Sequence, residues 1–500
     1  EVQHMVAHSL GLSAKDVTCI VKRMGGAFGG KESQAAPFAV YAALVAHKLK
    51  RAARLVLSKD DDMIMTGKRN PFQNEYRVAF DSSGRIQALD VQMFSDGGAF
   101  ADLSTAIMER AMLHVDNAYF IPHVRIRGQV CRTNFHPHTA FRGFGAPKGV
   151  ATIERIIEQI AHCLKKDPLE IRKINCYTEK NDTTPYGQKV ENNCLPDLFE
   201  KLEKKCDYWN RRKEITESNK KLLSPQIRGF SLTPVKFGIS FTTRYLNQGN
   251  ALVIIHRDGS IQGSTGATEM GQGVNTKIAQ LLAEDLGLPQ NHIRIMPTST
   301  DKNANTSPTA ASSGTDLNGM AALLALRKIK IRLGELALQL LELPESKWAR
   351  NTAGLGTEKE ILLEVSANKN IDASCIRFED NFVFSEKNPS KKIAFCDLVN
   401  EAYLNRISLS DYAHYRTPDL SFNKISGEGK AFSYFTQGVA ASEVSVDFFT
   451  GQVKVLRTDI LMDLGRPLNK SIDWGQVAGA FVQGMGWVTT ENLFYSPEGK

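Results

Sequence analysis

Eight cysteines stand at positions 19, 131, 163, 176, 194, 206, 375 and 396, and no two form a Cys-x-x-Cys pair. The nearest two, Cys194 and Cys206, are twelve apart. Zinc and iron–sulfur ligation need tighter clusters, so any iron–sulfur centre is expected on another segment or subunit. Scattered thiols fit a reducing cytoplasm. The sequence also has no apolar run long enough to cross a bilayer. The longest, Ala35 to Ala46, is broken by Pro37 and is expected as a buried helix, with no membrane partner. No basic-then-apolar leader opens the chain. Nor does charge of one sign dominate: 62 Lys+Arg face 54 Asp+Glu, a net +8. The densest basic stretch, Lys201 to Lys221, contains Glu203, Asp207, Glu214 and Glu217. That mixture reads as a solvated helix face and argues against a nucleic-acid groove. Glu1-Val-Gln-His4 opens without Met inside a helical pattern, and Ser496-Pro-Glu-Gly-Lys500 stops in the middle of a hairpin turn. A fragment of a larger chain is expected.

What is present is ordinary for a globular protein, 42% hydrophobic and 23% charged, and 500 residues are too many for one core. The first third alternates strand and helix. Val17 to Met24 reads as a strand, a glycine turn follows, and then the helix from Ala35. Gln73 to Phe80 and Arg85 to Met93 alternate in polarity about the turn Asp81-Ser-Ser-Gly84. Val124 to Cys131 is a further strand and Val150 to Leu164 a helix of 3.6-residue spacing. After a charged stretch, Asp197 to Leu223, the pattern starts again. Strands Ala251 to His256 and Ile261 to Ser264, helix Val274 to Leu286, strand Ile293 to Met296 and a long helix from Leu317 follow. Glu443 to Asp447 and Val453 to Leu461 form a hairpin, and Val477 to Val488 an apolar helix. The expected fold class is α/β (α+β), with mixed sheets and helices in two halves of one layout. Residues 1–195 form a first domain, 196–225 a charged helical linker and 226–500 a second domain.

Three glycine turns each precede a predicted helix: Gly25-Gly-Ala-Phe-Gly-Gly-Lys-Glu32, Arg142-Gly-Phe-Gly-Ala-Pro-Lys-Gly149 and Glu269-Met-Gly-Gln-Gly273. Asn305-Thr-Ser-Pro-Thr-Ala-Ala-Ser-Ser-Gly314 adds a loop of small hydroxyl residues before a fourth. Glycine lets backbone approach a ligand, and a helix start offers free N–H groups to an anion. A Cβ added at Gly29 or Gly273 is expected to fall where such a ligand's edge lies. One such loop is commonly structural; four in one chain point to a large ligand rich in acceptors. The first loop fails the phosphate-loop pattern, because Glu32 stands where a magnesium-holding hydroxyl belongs.

These loops, with Lys236-Phe-Gly-Ile-Ser-Phe-Thr242, Arg457-Thr-Asp-Ile-Leu-Met-Asp463 and Gly475 to Trp487, resemble the xanthine dehydrogenase/aldehyde oxidase family along essentially the whole chain and in family order. The resemblance implies two molybdenum-binding domains and a molybdenum–pyranopterin cofactor in its sulfido form, bound without side-chain ligands to the metal. Phe28, Arg142 and the backbone at Ala311 match positions lining the molybdenum. Gly29, Gly271, Gln272, Gly273, Ala310 and Ser312 match positions that hold the pterin. Glu32 and Arg110 match a pair that grips a purine, and Phe144 and Phe241, with Thr242 beside the latter, match two rings that sandwich it. The implied reaction oxidises hypoxanthine and xanthine to urate with oxygen from water. The implied partners are iron–sulfur clusters of the 2Fe-2S type and FAD on another segment or subunit, in a homo- or hetero-oligomer.

The chain departs from the family at Gly145-Ala-Pro-Lys148, where Gly-Gly-Pro-Gln is usual, so no amide contact is carried over to position 148. The family's general base is a Glu followed by Pro. Gly427-Glu428-Gly429 lacks the proline, and the base is expected beyond Lys500. Plain alternatives stand beside these roles: Glu32 as a helix-terminal carboxylate, Arg110 as the ion-pair partner of Glu109, Phe144 and Phe241 as core residues. His136-Pro-His138 reads as two surface histidines without a third ligand. An aldehyde oxidase and a non-catalytic pterin-binding or assembly protein are the rival functions.

Overall fold

The computed structural model describes residues 1–221, 224–342 and 373–496. Helix α1 (Val2–Leu10) and the short strand β1 (Ile20–Val21) lead into α2 (Ala35–Leu49) and α3 (Lys59–Met65). Strands β2 (Phe72–Phe80) and β3 (Ile86–Gly98) form the expected antiparallel hairpin. Its turn is held by Asp81, whose Oδ1 accepts the N–H groups of Ser83, Gly84 and Arg85 at 2.9–3.1 Å. Helix α4 (Ser104–Met112) then crosses to β4 (His123–Arg132), which pairs parallel with β3. Helices α5 (Ala146–Leu164) and α6 (Pro168–Asn175) follow; α5 buries Ile153, Ile156, Ile157 and Ile160 on one stripe.

The charged stretch folds as helices α7 (Leu195–Lys205) and α8 (Tyr208–Lys221). Its lysines face solvent and Arg211 and Arg212 reach inward to Glu443 and Asp167, while Leu195, Phe199, Leu202 and Tyr208 join the core of the first half. Strand β5 (Gln226–Ile239) opens the second half. The hairpin β6 (Gln248–Ile255) and β7 (Ile261–Thr265), helix α9 (Val274–Leu286) and β8 (Ile293–Ile295) come next. Strand β9 (Thr298–Ser299) pairs with β1, and α10 (Gly314–Glu342) is the long helix. Strands β10 (Ile376–Glu379), β11 (Phe382–Ser385) and β12 (Asn388–Ala394) form a small sheet, followed by α11 (Phe395–Leu404) and β13 (Ser410–Arg416). The long strands β14 (Tyr434–Asp447) and β15 (Val453–Asp463) and helix α12 (Lys470–Thr489) complete the described chain. The turn expected at residues 497–500 lies outside the described residues.

The two halves do share one layout. An antiparallel hairpin, a crossover helix, a parallel third strand and a long packed helix occur as β2–β3–α4–β4–α5 and again as β6–β7–α9–β8–α10. Sheet β15–β14–β5 packs with the first of them, its Phe230, Leu232, Val439 and Ala441 joining the first core. The fold is the mixed α/β arrangement expected.

Two expectations need correction. Of the strand expected over Val17 to Met24, only Ile20 and Val21 form strand, paired with Thr298 and Ser299. The apolar run in α2 is helical, but it is not a buried helix. Ala36 and Val40 are covered, whereas Tyr41, Leu44, Val45 and Leu49 are exposed. Pro37 is accommodated in the first turn, where its missing N–H has no intrahelical acceptor to lose. Among the described residues no helix is long and apolar enough to cross a membrane.

Candidate functional site

The four small-residue loops come together at the strand–helix junctions ahead of α2, α5, α9 and α10. The Met24 N–H donates to the Glu269 carbonyl at 3.0 Å, and the Thr268 N–H to Thr309 Oγ1 at 2.9 Å. Gly29 lies so close to the second loop that a Cβ there would stand 2.8 Å from the Ala140 carbonyl carbon. Helix α12 closes over the assembly. Arg142 Nη2 donates to the Gln476 carbonyl at 3.0 Å and to its Oε1 at 3.1 Å, and Lys277 pairs with Asp473 at 2.5 Å.

Predicted site residues stand out for their backbones. Phe28, Phe144, Ala311 and Ser312 all have left-handed φ, at 50°, 59°, 55° and 57°. Such values are uncommon for residues with a Cβ, and they cluster where a fold over-determines a functional shape. Phe28 leaves 54% of its surface exposed. The Phe144 carbonyl accepts Lys148 Nζ at 2.6 Å, so the residue that departs from the family holds the turn presenting Phe144. Burial, with Arg69 nearby, pushes that lysine well below its usual range. Ser312 opens on a cavity of about 850 Å³ shared with Asp316, Lys430, Tyr434 and Arg466.

The third loop is self-supporting. Glu269 accepts the N–H groups of Gly271, Gly273 and Asn275 at 2.8–3.1 Å. The start of α9 is therefore taken by the protein's own carboxylate and is not free for an anion, contrary to expectation. Gln272 bonds within its loop, to Thr268 O at 2.9 Å and from the Met270 N–H at 2.7 Å. A Cβ at Gly273 would meet Ile472, and at Gly29 Ala140, whereas at Gly271, φ +101°, it would enter open space. The expectation for Gly29 and Gly273 is corrected accordingly: both serve contacts within the protein.

Arg110 is not paired with Glu109, which binds Lys424 at 2.9 Å. The guanidinium is 4% exposed and its Nη1 has no acceptor. It lies against two rings, 5.0 Å from the Phe237 centroid and 4.7 Å from that of Phe432. Burial lowers its pKa to about 10. Glu32 has no ion-pair partner among the described residues. Burial first, then Glu1 and Asp102, raises its carboxyl to about 7. His138 is not at the surface: it is buried, 3.7 Å from Asp96 Oδ2. No metal-binding group of three or more His, Cys, Asp or Glu occurs among the described residues.

The segment after α4 clasps the free edge of β5. Asn117 Oδ1 accepts the Lys236 N–H at 3.1 Å, and its Nδ2 donates to Pro234 O at 3.0 Å. His114 Nε2 accepts the Gly238 N–H at 3.2 Å, while its Nδ1 bonds the Arg110 carbonyl at 2.9 Å. Positions 234, 236 and 238 are the alternate residues whose backbone groups face one edge. Beneath them Lys236 and Asp116 form a buried ion pair at 3.1 Å. Beyond β5, the Asn247 amide holds both the N–H and the carbonyl of Phe241 at 2.9 Å, and Thr242 follows on the same half-buried turn.

Residues 1–176, and 201–361 with 357–500, match molybdopterin cofactor-binding domains. The chain belongs to the molybdopterin cofactor-binding family. Xanthine dehydrogenase of Calliphora vicina is 41% identical over 500 residues, covering 100% of this chain and 33% of that protein. Xanthine dehydrogenase 1 of Arabidopsis thaliana is 40% identical over 491 residues, 98% of this chain and 32% of that one. The resemblance read from the motifs is thus borne out, and the chain spans about a third of the length of these curated relatives. Among solved structures, quinoline 2-oxidoreductase from Pseudomonas putida superposes with a TM-score of 0.84 at 23% identity, covering 100% of this chain and 60% of that one. Aldehyde oxidoreductase from Desulfovibrio gigas gives 0.75 at 22%, over 97% and 46%. At such identities the likeness speaks for the fold.

Sequence reasoning did not find His114, Asp116 and Asn117, or Gln476 of α12. Polar residues directly after Arg110, and glutamines on an otherwise apolar helix, were the available signals.

Proposed function

We propose that this chain is the cofactor- and substrate-binding part of a molybdenum hydroxylase that oxidises hypoxanthine and xanthine to urate, with water as the oxygen source. The observation that carries the reading is Arg110, a buried cation with an unused donor, packed on aromatic rings and in no ion pair among the described residues. Such a group is costly in a folded protein. A purine that gains negative charge in the transition state offsets that cost and draws stabilisation from it. Glu32, with its carboxyl raised to about 7, is populated as acid and as carboxylate near neutral pH, and can exchange hydrogen bonds with ring nitrogens from the other side. Phe144 and Phe241 would hold the flat ring, with Thr242 beside it, at little entropic cost.

The residues fit the pterin: Gly271 leaves open space, and successive left-handed Ala311 and Ser312 turn their backbone into the loop cluster. Gly29, Gln272, Gly273 and Ala310 would shape the rest of the cradle, with Phe28, Arg142 and Ala311 lining the metal. When bound, the cofactor supplies the oxidant for this two-electron reaction. The electrons leave through 2Fe-2S and FAD centres on another segment or subunit, and the base that activates water is expected outside this chain.

An aldehyde oxidase would not need either charge at positions 32 and 110. The test is the full-length enzyme carrying Arg110→Met. Its xanthine turnover should fall roughly 30- to 1000-fold, a barrier rise of about 2–4 kcal/mol, while benzaldehyde oxidation is spared. If xanthine turnover survives, or both substrates decline together, the purine reading fails.

A further inference from the structure

We propose that His114 is a positioning residue that sets the separation between the Arg110 guanidinium and the Phe241 ring. The inference rests on the roles proposed above for those two residues. They belong to different elements. Arg110 lies in the last turn of α4, where carbonyls lack intrahelical partners, and Phe241 lies two residues past the end of β5. His114 is 1% exposed and bonds both: one ring nitrogen to the Arg110 carbonyl, the other to the N–H of Gly238, three residues before Phe241. Because Nε2 accepts from a backbone N–H, Nδ1 carries the proton and donates to Arg110, which fixes a neutral tautomer. Burial and the adjacent Arg110 and Lys236 disfavour the charged ring in the same sense.

The surrounding packing leaves this link no slack. The imidazole centroid is 5.2 Å from both Phe237 and Phe432, the rings that also flank the guanidinium. A Cβ at Gly238 would stand 2.2 Å from the Phe432 ring, so the strand and this ring are in close contact. At the far end the Asn247 amide holds the Phe241 backbone and Ser240 Oγ donates to Ala431 O at 3.2 Å, so the turn that continues β5 into Phe241 is held on both sides. A change at His114 therefore moves the helix carrying the cation relative to the strand leading to the ring. Misplacement of about 1 Å can lower turnover roughly 100-fold when geometry supplies the catalysis.

Three variants of the full-length holoenzyme test this. His114→Phe keeps a ring and loses both bonds; His114→Asn reaches only the Arg110 carbonyl; His114→Gln retains an acceptor for Gly238 and a donor on the same amide. With molybdenum content matched to wild type, His114→Phe and His114→Asn should lower the xanthine kcat roughly tenfold or more, more than they change KM. The xanthine-to-benzaldehyde ratio of kcat/KM should fall by the same order, and His114→Gln should recover most of it. Should His114→Phe fail to fold, His114→Asn carries the same expectation. Wild-type xanthine kcat and substrate ratio in these variants, or an equal loss of kcat for both substrates, would overturn the proposal. Arg110→Met, measured alongside, separates the two claims. If it spares xanthine turnover, the purine reading itself is wrong; if it lowers turnover and the His114 variants leave both xanthine turnover and the ratio unchanged, only the positioning role is.

Discussion

Gly29 and Gly271 belong to the same small-residue cluster, yet a side chain meets different surroundings at each. At Gly29, φ +99°, a Cβ collides with the Ala140–Phe141 backbone; at Gly271, φ +101°, it meets nothing. Gly29→Val should therefore lower stability by roughly 3 kcal/mol or more, seen as a fall in the urea midpoint, and molybdenum content should drop with it. Gly271→Ala should cost only about 1 kcal/mol through its backbone but still lower molybdenum content, because its Cβ would enter the open space where the pterin is proposed to sit. Glu32 adds a pH dependence. Its folded pKa, about 7, lies above the ordinary 4.5, so the folded state binds the proton more tightly than the unfolded one. The resulting penalty is absent below about pH 4.5, grows as pH rises and is complete above about 7. Glu32→Gln should thus gain on wild type between pH 5 and pH 8, by roughly 2–3 kcal/mol. Chemical denaturation at the two pH values checks this, and an unchanged difference would remove the carboxyl from its buried setting. These side chains were legible in the sequence because each sits inside a long motif. Their environments were not, since burial of Arg110 depends on Phe237 and Phe432, far away in the chain.

Among the elements, helices were legible where one face is strongly patterned. Helix α9 runs from Val274 to Leu286 as expected, and α5 begins four residues earlier than its apolar spacing indicates because Pro147 suits a first turn. The exposure of α2 was not legible, because an all-round apolar run says nothing about which side is covered. The clasp on β5 was hidden for a related reason: side chains of residues 114–117 do there what a neighbouring strand would do. Asn117 is the measurable part. Replacing it with Leu leaves the Lys236 N–H and the Pro234 carbonyl without partners and puts a branched side chain at φ +41°. A loss of about 3–5 kcal/mol in urea unfolding is expected; a loss under 1 kcal/mol would mean that the edge is satisfied some other way.

On the scale of the whole molecule, the repeated hairpin–helix–strand–helix layout puts its loops at comparable strand–helix junctions, and the sheet β15–β14–β5 packs into the core of the first copy. The repetition was visible in the order of predicted elements without any repeat in sequence, because burial pattern and not residue identity carries it. The packing of α7, α8, β5 and β14 into one core with the first half was not visible, since charge on their outer faces reads like a linker. The account's central claim is that these loops together cradle a molybdenum–pterin. The most direct measurement is metal and pterin content of the purified full-length protein, by elemental analysis and by fluorescence of the oxidised pterin, for wild type and Gly271→Ala. The account predicts equimolar molybdenum and pterin in wild type and a clear loss of both in a folded Gly271→Ala. Folded wild-type protein without either, or full loading in the variant, would contradict it.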